Sequence, residues 1–216
     1  MTSMNKKPKA VIFDVGGVLI RTRHRNGREK WATRLNLSPN EFENYVFNCE
    51  SGKQAQLGQK SWLEHWRWLA EHFKLTETEI QTMEHDFFVG DYLNKPLVAH
   101  IQHLKQAGYP LGILSNYSDQ ARSLWTDTYP FIHYFDGIII SAEVGIAKPT
   151  PKIYHLAAES LGINVSDAVF IDDFIENIEG ARAVGMSAIH FVETDAVIQE
   201  LTQLTLSDYL LPDRKG

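Results

Sequence analysis

The chain has a single cysteine, Cys49, so none of its 216 residues can join in an internal disulfide, and no Cys/His spacing suggests a structural zinc. Positive charge is also scarce. Twenty-one Lys and Arg stand against 27 Asp and Glu, a formal net charge of −6, and the pI near 5.8 gives no electrostatic reason to expect a nucleic-acid partner. No apolar run approaches the roughly eighteen residues that would span a bilayer. The start, MTSMNKKPKA, is basic like the head of a signal peptide. The apolar stretch behind it is broken by Asp14 and Gly16-Gly17, and no small-residue cleavage site follows. The expectation is a cytoplasmic protein in a reducing compartment, with no membrane partner. Internal repeats and low-complexity tracts are missing too, and 44% hydrophobic with 22% charged residues excludes wholesale disorder.

Two textures are present. Residues 10–15, 111–115, 137–141, 168–171 and 188–192 are continuous apolar runs rich in Val and Ile. Such runs belong to strands buried on both faces, as in a parallel sheet. Between them the pattern predicts helices over 96–107, 119–128, 151–161 and 175–184, with Thr150-Pro151 as a start signal and Gly108, Gly162 and Gly185 as stops. Strand and helix in alternation mean an α/β fold with a doubly wound parallel sheet. Residues 22–92 contain no convincing strand. They hold three S/T-x-x-E capping boxes, at Ser38/Glu41, Ser61/Glu64 and Thr76/Glu79, and four of the five tryptophans (Trp31, Trp62, Trp66, Trp68). The expected organisation is an α/β core over 1–20 and 93–216, with an all-helical module inserted over 21–92.

Ligands of doubly wound sheets bind beyond the carboxyl ends of the strands. Asp14 ends the first strand, Ser115 and Asn116 the second, and Asp172 and Asp173 the fourth; Lys148 lies in the loop after the third. Carboxylates, a lysine and a hydroxyl converging there can hold a hard cation and neutralise a dianion. Taken singly, Asp173 with Glu176 also fits a helix cap, Ser115-Asn116 a plain turn, and Lys148 a solvated loop charge. Asp14 has no such reading, because it interrupts a strand that should be buried.

The segments Phe13-Asp14-Val15-Gly16-Gly17-Val18-Leu19, Leu114-Ser115-Asn116, Gly145-Ile146-Ala147-Lys148-Pro149 and Phe170-Ile171-Asp172-Asp173, with Asn177 following, stand in this order along the chain. Together they resemble the four motifs of the haloacid dehalogenase superfamily, in the branch with a helical cap after the first motif. LSNYSD, GIAKPTPKIYHLAAESLG and VFIDDFIENIEGARAVGM look most like its small sugar-phosphate phosphatases of the glucose-1-phosphate type. The resemblance implies a Rossmann-like core and a small phosphorylated substrate. Asp14 would be the nucleophile, forming an aspartyl phosphate. Ser115 would bind a phosphoryl oxygen, Lys148 would neutralise charge, and Val15, Gly16 and Asn116 would line the substrate site. Mg²⁺ would be held by Asp14, the Gly16 carbonyl and Asp173, with Asp172 directly or through water. A monomer or weak homodimer is expected.

One position departs from the pattern. Most phosphatases of the superfamily carry a second Asp two residues after the nucleophile, as general acid and base, and here that place is Gly16. Three alternatives stay open: a metal-free 2-haloacid dehalogenase-like hydrolase, a weak phosphate-binding pseudo-phosphatase, and a phosphotransferase or mutase. The run RTRHRNGREK over 21–30 is either a solvated linker or a device that steers anions. The tryptophans read as helical core, and Cys49 as a packed thiol.

Overall fold

A computed structural model describes residues 7–205. Its elements in chain order are β1 (Ala10–Phe13), β2 (Ile20–Thr22), α1 (Asn26–Arg34), α2 (Pro39–Phe47), α3 (Glu50–Gln56), α4 (Trp62–Phe73), α5 (Glu77–Phe88), β3 (Asp91–Leu93), α6 (Lys95–Gln106), β4 (Leu111–Ser115), α7 (Ala121–Ser123), β5 (Gly137–Ile140), α8 (Ser141–Val144), α9 (Pro151–Glu159), β6 (Ala168–Asp172), α10 (Ile175–Ala183), β7 (Ser187–His190) and α11 (Thr194–Thr205). Five strands form a parallel sheet in the order β5-β4-β1-β6-β7. This is the doubly wound α/β architecture that the apolar runs predict, with β1 central.

Alternation along each strand divides the core into two layers. Val11 and Phe13 of β1 join Val169 and Ile171 of β6 in one cluster, which α6 covers with Leu97, Ile101 and Leu104 and α11 with Val197 and Leu201. Ile12 and Phe170 face the other way, against Ile153 and Tyr154 of α9 and Ile178 and Ala181 of α10. The inserted helices have a third cluster of their own, built on Trp31, Phe42, Trp62, Trp66, Leu69 and Phe87. All three predicted capping boxes form, at Ser38/Glu41, Ser61/Glu64 and Thr76/Glu79. Cys49 caps a helix as well: its sulfur accepts the Gly52 N–H at 3.4 Å at the start of α3.

Two expectations are corrected. The stretch 22–92 was expected to lack strands, yet β2 and β3 pair antiparallel with Ile20 opposite Leu93, Arg21 opposite Tyr92 and Thr22 opposite Asp91. Three-residue strands whose partners lie some 70 positions apart leave no local periodicity to detect. The expected boundaries at 20/21 and 92/93 therefore run through this ribbon. The helix expected over 119–128 is α7 followed by a π turn, Leu124–Thr128. The start expected at Thr150-Pro151 is in place, with Thr150 at the N-cap and Pro151 opening α9, although the threonine side chain makes no capping bond.

Candidate active site

Sheet order brings the singled-out residues together. Asp14 leaves the end of β1 with its N–H donated to the Ile171 carbonyl at 2.9 Å, which ties it to β6. Ser115 closes β4 and Asp172 closes β6, the two neighbours of β1. Asp14, Asp172 and Asp173 each present an oxygen within 4.8 Å of the others.

Lys148 is inserted among them. Its Nζ lies 2.9 Å from Asp14 Oδ1 and 2.6 Å from Asp172 Oδ2, and donates to the Leu114 carbonyl at 3.0 Å. The side chain is buried, so it is no solvated loop charge. Burial alone would lower its pKa, but the paired carboxylates outweigh this and raise it. Asn116 fixes the lysine's backbone from both sides: its Oδ1 accepts the Lys148 N–H at 2.8 Å and its Nδ2 donates to the Lys148 carbonyl at 3.0 Å. Expected among the substrate-lining groups, Asn116 has its amide taken up in holding Lys148.

The two adjacent aspartates differ. Asp172 is fully buried and satisfied: Lys148 and Asn177 Nδ2 reach Oδ2, while the Phe174 N–H (2.8 Å) and Asn177 Nδ2 (3.1 Å) reach Oδ1. Asn177, quoted in the fourth motif but given no role there, is held in turn by α9, where the Tyr154 hydroxyl donates to its carbonyl at 2.8 Å. An amide one helical turn beyond an Asp pair was the available signal. Asp173, by contrast, does not cap α10, whose N-cap is Phe174 without a side-chain bond. Its Oδ1 is buried with no hydrogen-bond partner. Its Oδ2 lies where a Cβ on Gly17 would stand, 2.0 Å away, and Gly17 has a φ of +72°. Only glycine fits that turn.

Crowded negative charge shows in the titration. Burial, opposed by Lys148 and aided by Asp172 and Asp173, pushes the Asp14 carboxyl up to about 7. Burial and Asp172 push Asp173 up to about 6. An orphaned buried carboxylate oxygen beside two further carboxylates, with one lysine to balance them, fits an oxygen-liganded cation. Asp14, Val15, Gly16, Ser115, Asn116, Lys148 and Asp173 all open on one cavity of about 1210 Å³ between the sheet and the inserted helices. Within the basic run, Arg23–Arg25 are exposed and join β2 to α1, whereas Arg28 is drawn inward. Arg28 is buried against Glu43, Asp91, Thr22 and the Phe87 carbonyl, and Arg25 pairs with Glu43.

A carboxylate–lysine cluster at the carboxyl ends of a doubly wound sheet defines a class of α/β hydrolytic sites. The family model for haloacid dehalogenase-like hydrolases matches residues 8–185, and the chain belongs to that family. It is similar to the bifunctional epoxide hydrolase 2 of Rattus norvegicus, at 30% identity over 141 residues. That match takes in 63% of this chain and 24% of the relative, so the chain spans about a quarter of that enzyme's length. The sesquiterpene phosphatase astK of Aspergillus oryzae is 24% identical over 197 residues, 91% of this chain and 96% of the relative. Among solved structures, the family enzyme BT-2542 of Bacteroides thetaiotaomicron, in complex with magnesium and inorganic phosphate, superposes with a TM-score of 0.70 at 22% identity. It covers 85% of this chain and 93% of that one, a likeness of fold. Among the described residues no helix is long and apolar enough to cross a membrane.

Proposed function

We propose that this hydrolase is a Mg²⁺-dependent phosphomonoesterase acting on a small phosphorylated metabolite, with sugar phosphates among the classes that fit. The carrying observation is the Asp14–Lys148–Asp173 cluster, with its orphaned Asp173 oxygen, at the floor of a 1210 Å³ cavity. The phosphatase relative and the magnesium and phosphate in the neighbouring structure support the reading. Asp14, Asp173 and the Gly16 carbonyl would hold the ion, which when bound offsets the charge of the carboxylates and of the phosphoryl oxygens.

The protein's own groups divide the work. Lys148 holds Asp14 Oδ1, orienting the carboxylate and screening an approaching dianion. Asp14 attacks phosphorus; the P–O ester bond breaks and the alcohol leaves with a proton from solvent. Water then attacks the aspartyl phosphate, releasing inorganic phosphate and the free carboxylate. Ser115 hydrogen-bonds a phosphoryl oxygen, and Asp172 and Asn177 keep Lys148 in place. The inserted helices form a cap whose wall shapes the space for the alcohol. The protein works in the reducing cytoplasm as a monomer or weak dimer. Release of phosphate from para-nitrophenyl phosphate, with Mg²⁺ and with excess chelator, tests the reading. Turnover should require the metal and vanish in Asp14→Asn. Full activity in chelator would overturn it in favour of metal-free dehalogenase-like chemistry.

A further inference from the structure

The cavity is far larger than a phosphate needs, and its charge is one-sided. Seven carboxylates line it against three Lys and Arg. Each of those cations is already bound: Lys148 to Asp14 and Asp172, Arg25 to Glu43 at 3.4 Å, and Arg28 to Glu43 at 3.2 Å and Asp91 at 3.1 Å. Every lysine and arginine on the wall thus has a carboxylate partner, and a second anionic group would meet mostly like charge there.

One carboxylate on the insert's side differs from the rest. Glu84 of α5 is half-buried and has no cation partner among the described residues; burial pushes its carboxyl up, and the neighbouring Trp62 indole partly offsets this. Around it the wall is aromatic. Trp62 stacks on Tyr117 with ring centroids 6.3 Å apart and lies 6.5 Å from Phe88. Tyr117 directly follows Ser115-Asn116, so the aromatic wall continues from the phosphate end of the cavity. Burial, with Asp91 and Glu84 nearby, raises the Tyr117 pKa and keeps its hydroxyl protonated. A carboxylate in such a wall has unfilled acceptor capacity, and a charged acceptor makes the stronger kind of hydrogen bond.

Resting on the phosphatase reading, we propose that Glu84 is a specificity-determining residue: it accepts a hydrogen bond from a hydroxyl or ammonium group on the alcohol part of the substrate, and the cavity rejects phosphate esters that carry a second anionic group. Hydroxyl and ammonium share this donor chemistry, and matched ligands separate them.

The test uses benzylphosphonates substituted in the para position with hydrogen, hydroxymethyl, aminomethyl or carboxylate, titrated calorimetrically into the full chain with Mg²⁺. Their C–P bond is not hydrolysed, so affinity is read without turnover. At least one donor-bearing ligand should bind roughly tenfold tighter than the parent, and the carboxylate roughly tenfold weaker. Tightest binding by the aminomethyl ligand identifies an ammonium, and by the hydroxymethyl ligand a hydroxyl. Glu84→Gln, which keeps an acceptor for Trp62, should shrink the spread, and Glu84→Lys should invert it. A wild-type protein that bound all four alike, or none, would overturn the inference, as would an unchanged order in both variants. The graded order without phosphate release from any aryl phosphate would instead overturn the phosphatase reading and leave the Glu84 assignment standing.

Discussion

Burial of Asp14 among other carboxylates should make its contribution to the stability of the metal-free protein fall as pH rises. Burial, with Asp172 and Asp173 nearby, raises the Asp14 carboxyl from 3.8 to about 7. In the unfolded chain it ionises near its ordinary value. Between those points the native state keeps a proton that the unfolded state has lost, so the contribution is complete below about pH 4 and is lost as pH climbs through 7. Each unit of difference corresponds to about 1.4 kcal/mol. With the opposing pull of Lys148 already included in that value, the loss is roughly 4 kcal/mol, or about 8–16 °C in Tm for a chain of this size. His65 works in the opposite sense. Burial pushes it down to about 4, so its neutral form adds stability as pH rises from there toward 6.5. The comparison that isolates Asp14 is therefore wild type against Asp14→Asn, both in chelator, by thermal melts followed by circular dichroism. The two should differ least below about pH 4, where Asp14 is neutral in the folded and the unfolded chain alike, and the variant should be increasingly the more stable from there up to pH 8. Mg²⁺ at pH 8 should then raise the wild type by mass action and leave the variant nearly unmoved. A variant no more stable than the wild type at pH 8 would refute the reasoning, since it would mean that Lys148 outweighs burial and keeps Asp14 ionised without metal.

The two neighbouring aspartates should separate cleanly. Asp172→Asn weakens a buried, fully bonded partner of Lys148 and should cost roughly 3 kcal/mol in urea denaturation, whereas Asp173→Asn should leave the metal-free fold as stable as before and abolish the Mg²⁺-induced rise in Tm. Gly16→Asp should be tolerated, because nothing lies within 4 Å of a Cβ placed there. By supplying a general acid it should flatten the dependence of kcat/KM on leaving-group pKa across aryl phosphates, with gains of roughly tenfold or more on the poorest leaving groups; a slope already shallow in the wild type would mean that another group donates the proton.

What was legible in the chain depended on how local its signal was. The parallel strands declare themselves because burial on both faces forces runs such as Ala10–Phe13, every residue of which is fully buried. The capping boxes are four-residue signals and all three form. Asp14 was readable because a carboxylate inside an apolar strand has few structural uses. The pairing of partners distant in sequence left no such trace. The β2–β3 ribbon, the grip of Asn116 on Lys148 and the role of Asn177 each depend on which residues the sheet order brings together. The difference between Asp172 and Asp173 was equally hidden, since adjacent residues of one type diverge here only through their hydrogen-bond partners. Glu84 lies in an amphipathic helix where a glutamate reads as surface; only the packing of α5 against α4 and the cavity exposes its lack of a cation.

The separate cores explain how one site can combine fixed chemistry with an adjustable wall. Asp14 follows β1, and the chain passes into the inserted helices at Thr22 and returns at Asp91, opposite it in the ribbon. Both crossings therefore lie beside the same strand end, and the insert rises over the crevice flanking β1. Its helices pack on a cluster that shares no buried residue with the two layers of the sheet. Beyond the ribbon, insert and core meet where Asp119 accepts the Trp62 N–H at 2.9 Å, where the Ser141 hydroxyl donates to the Gln56 carbonyl at 2.6 Å, and where Trp62 stacks on Tyr117. Asp14, Lys148 and Asp172 are positioned by β1, β4, β6 and the loop before α9, none of which belongs to the insert. Side chains such as Glu84 and Phe88 can thus change without unseating the carboxylates, because no bond that holds Lys148 or Asp172 passes through them. On the proposed reading, selectivity for the alcohol and reactivity toward phosphorus would rest on different sets of contacts, and substitutions in the two sets should combine additively where their side chains do not touch.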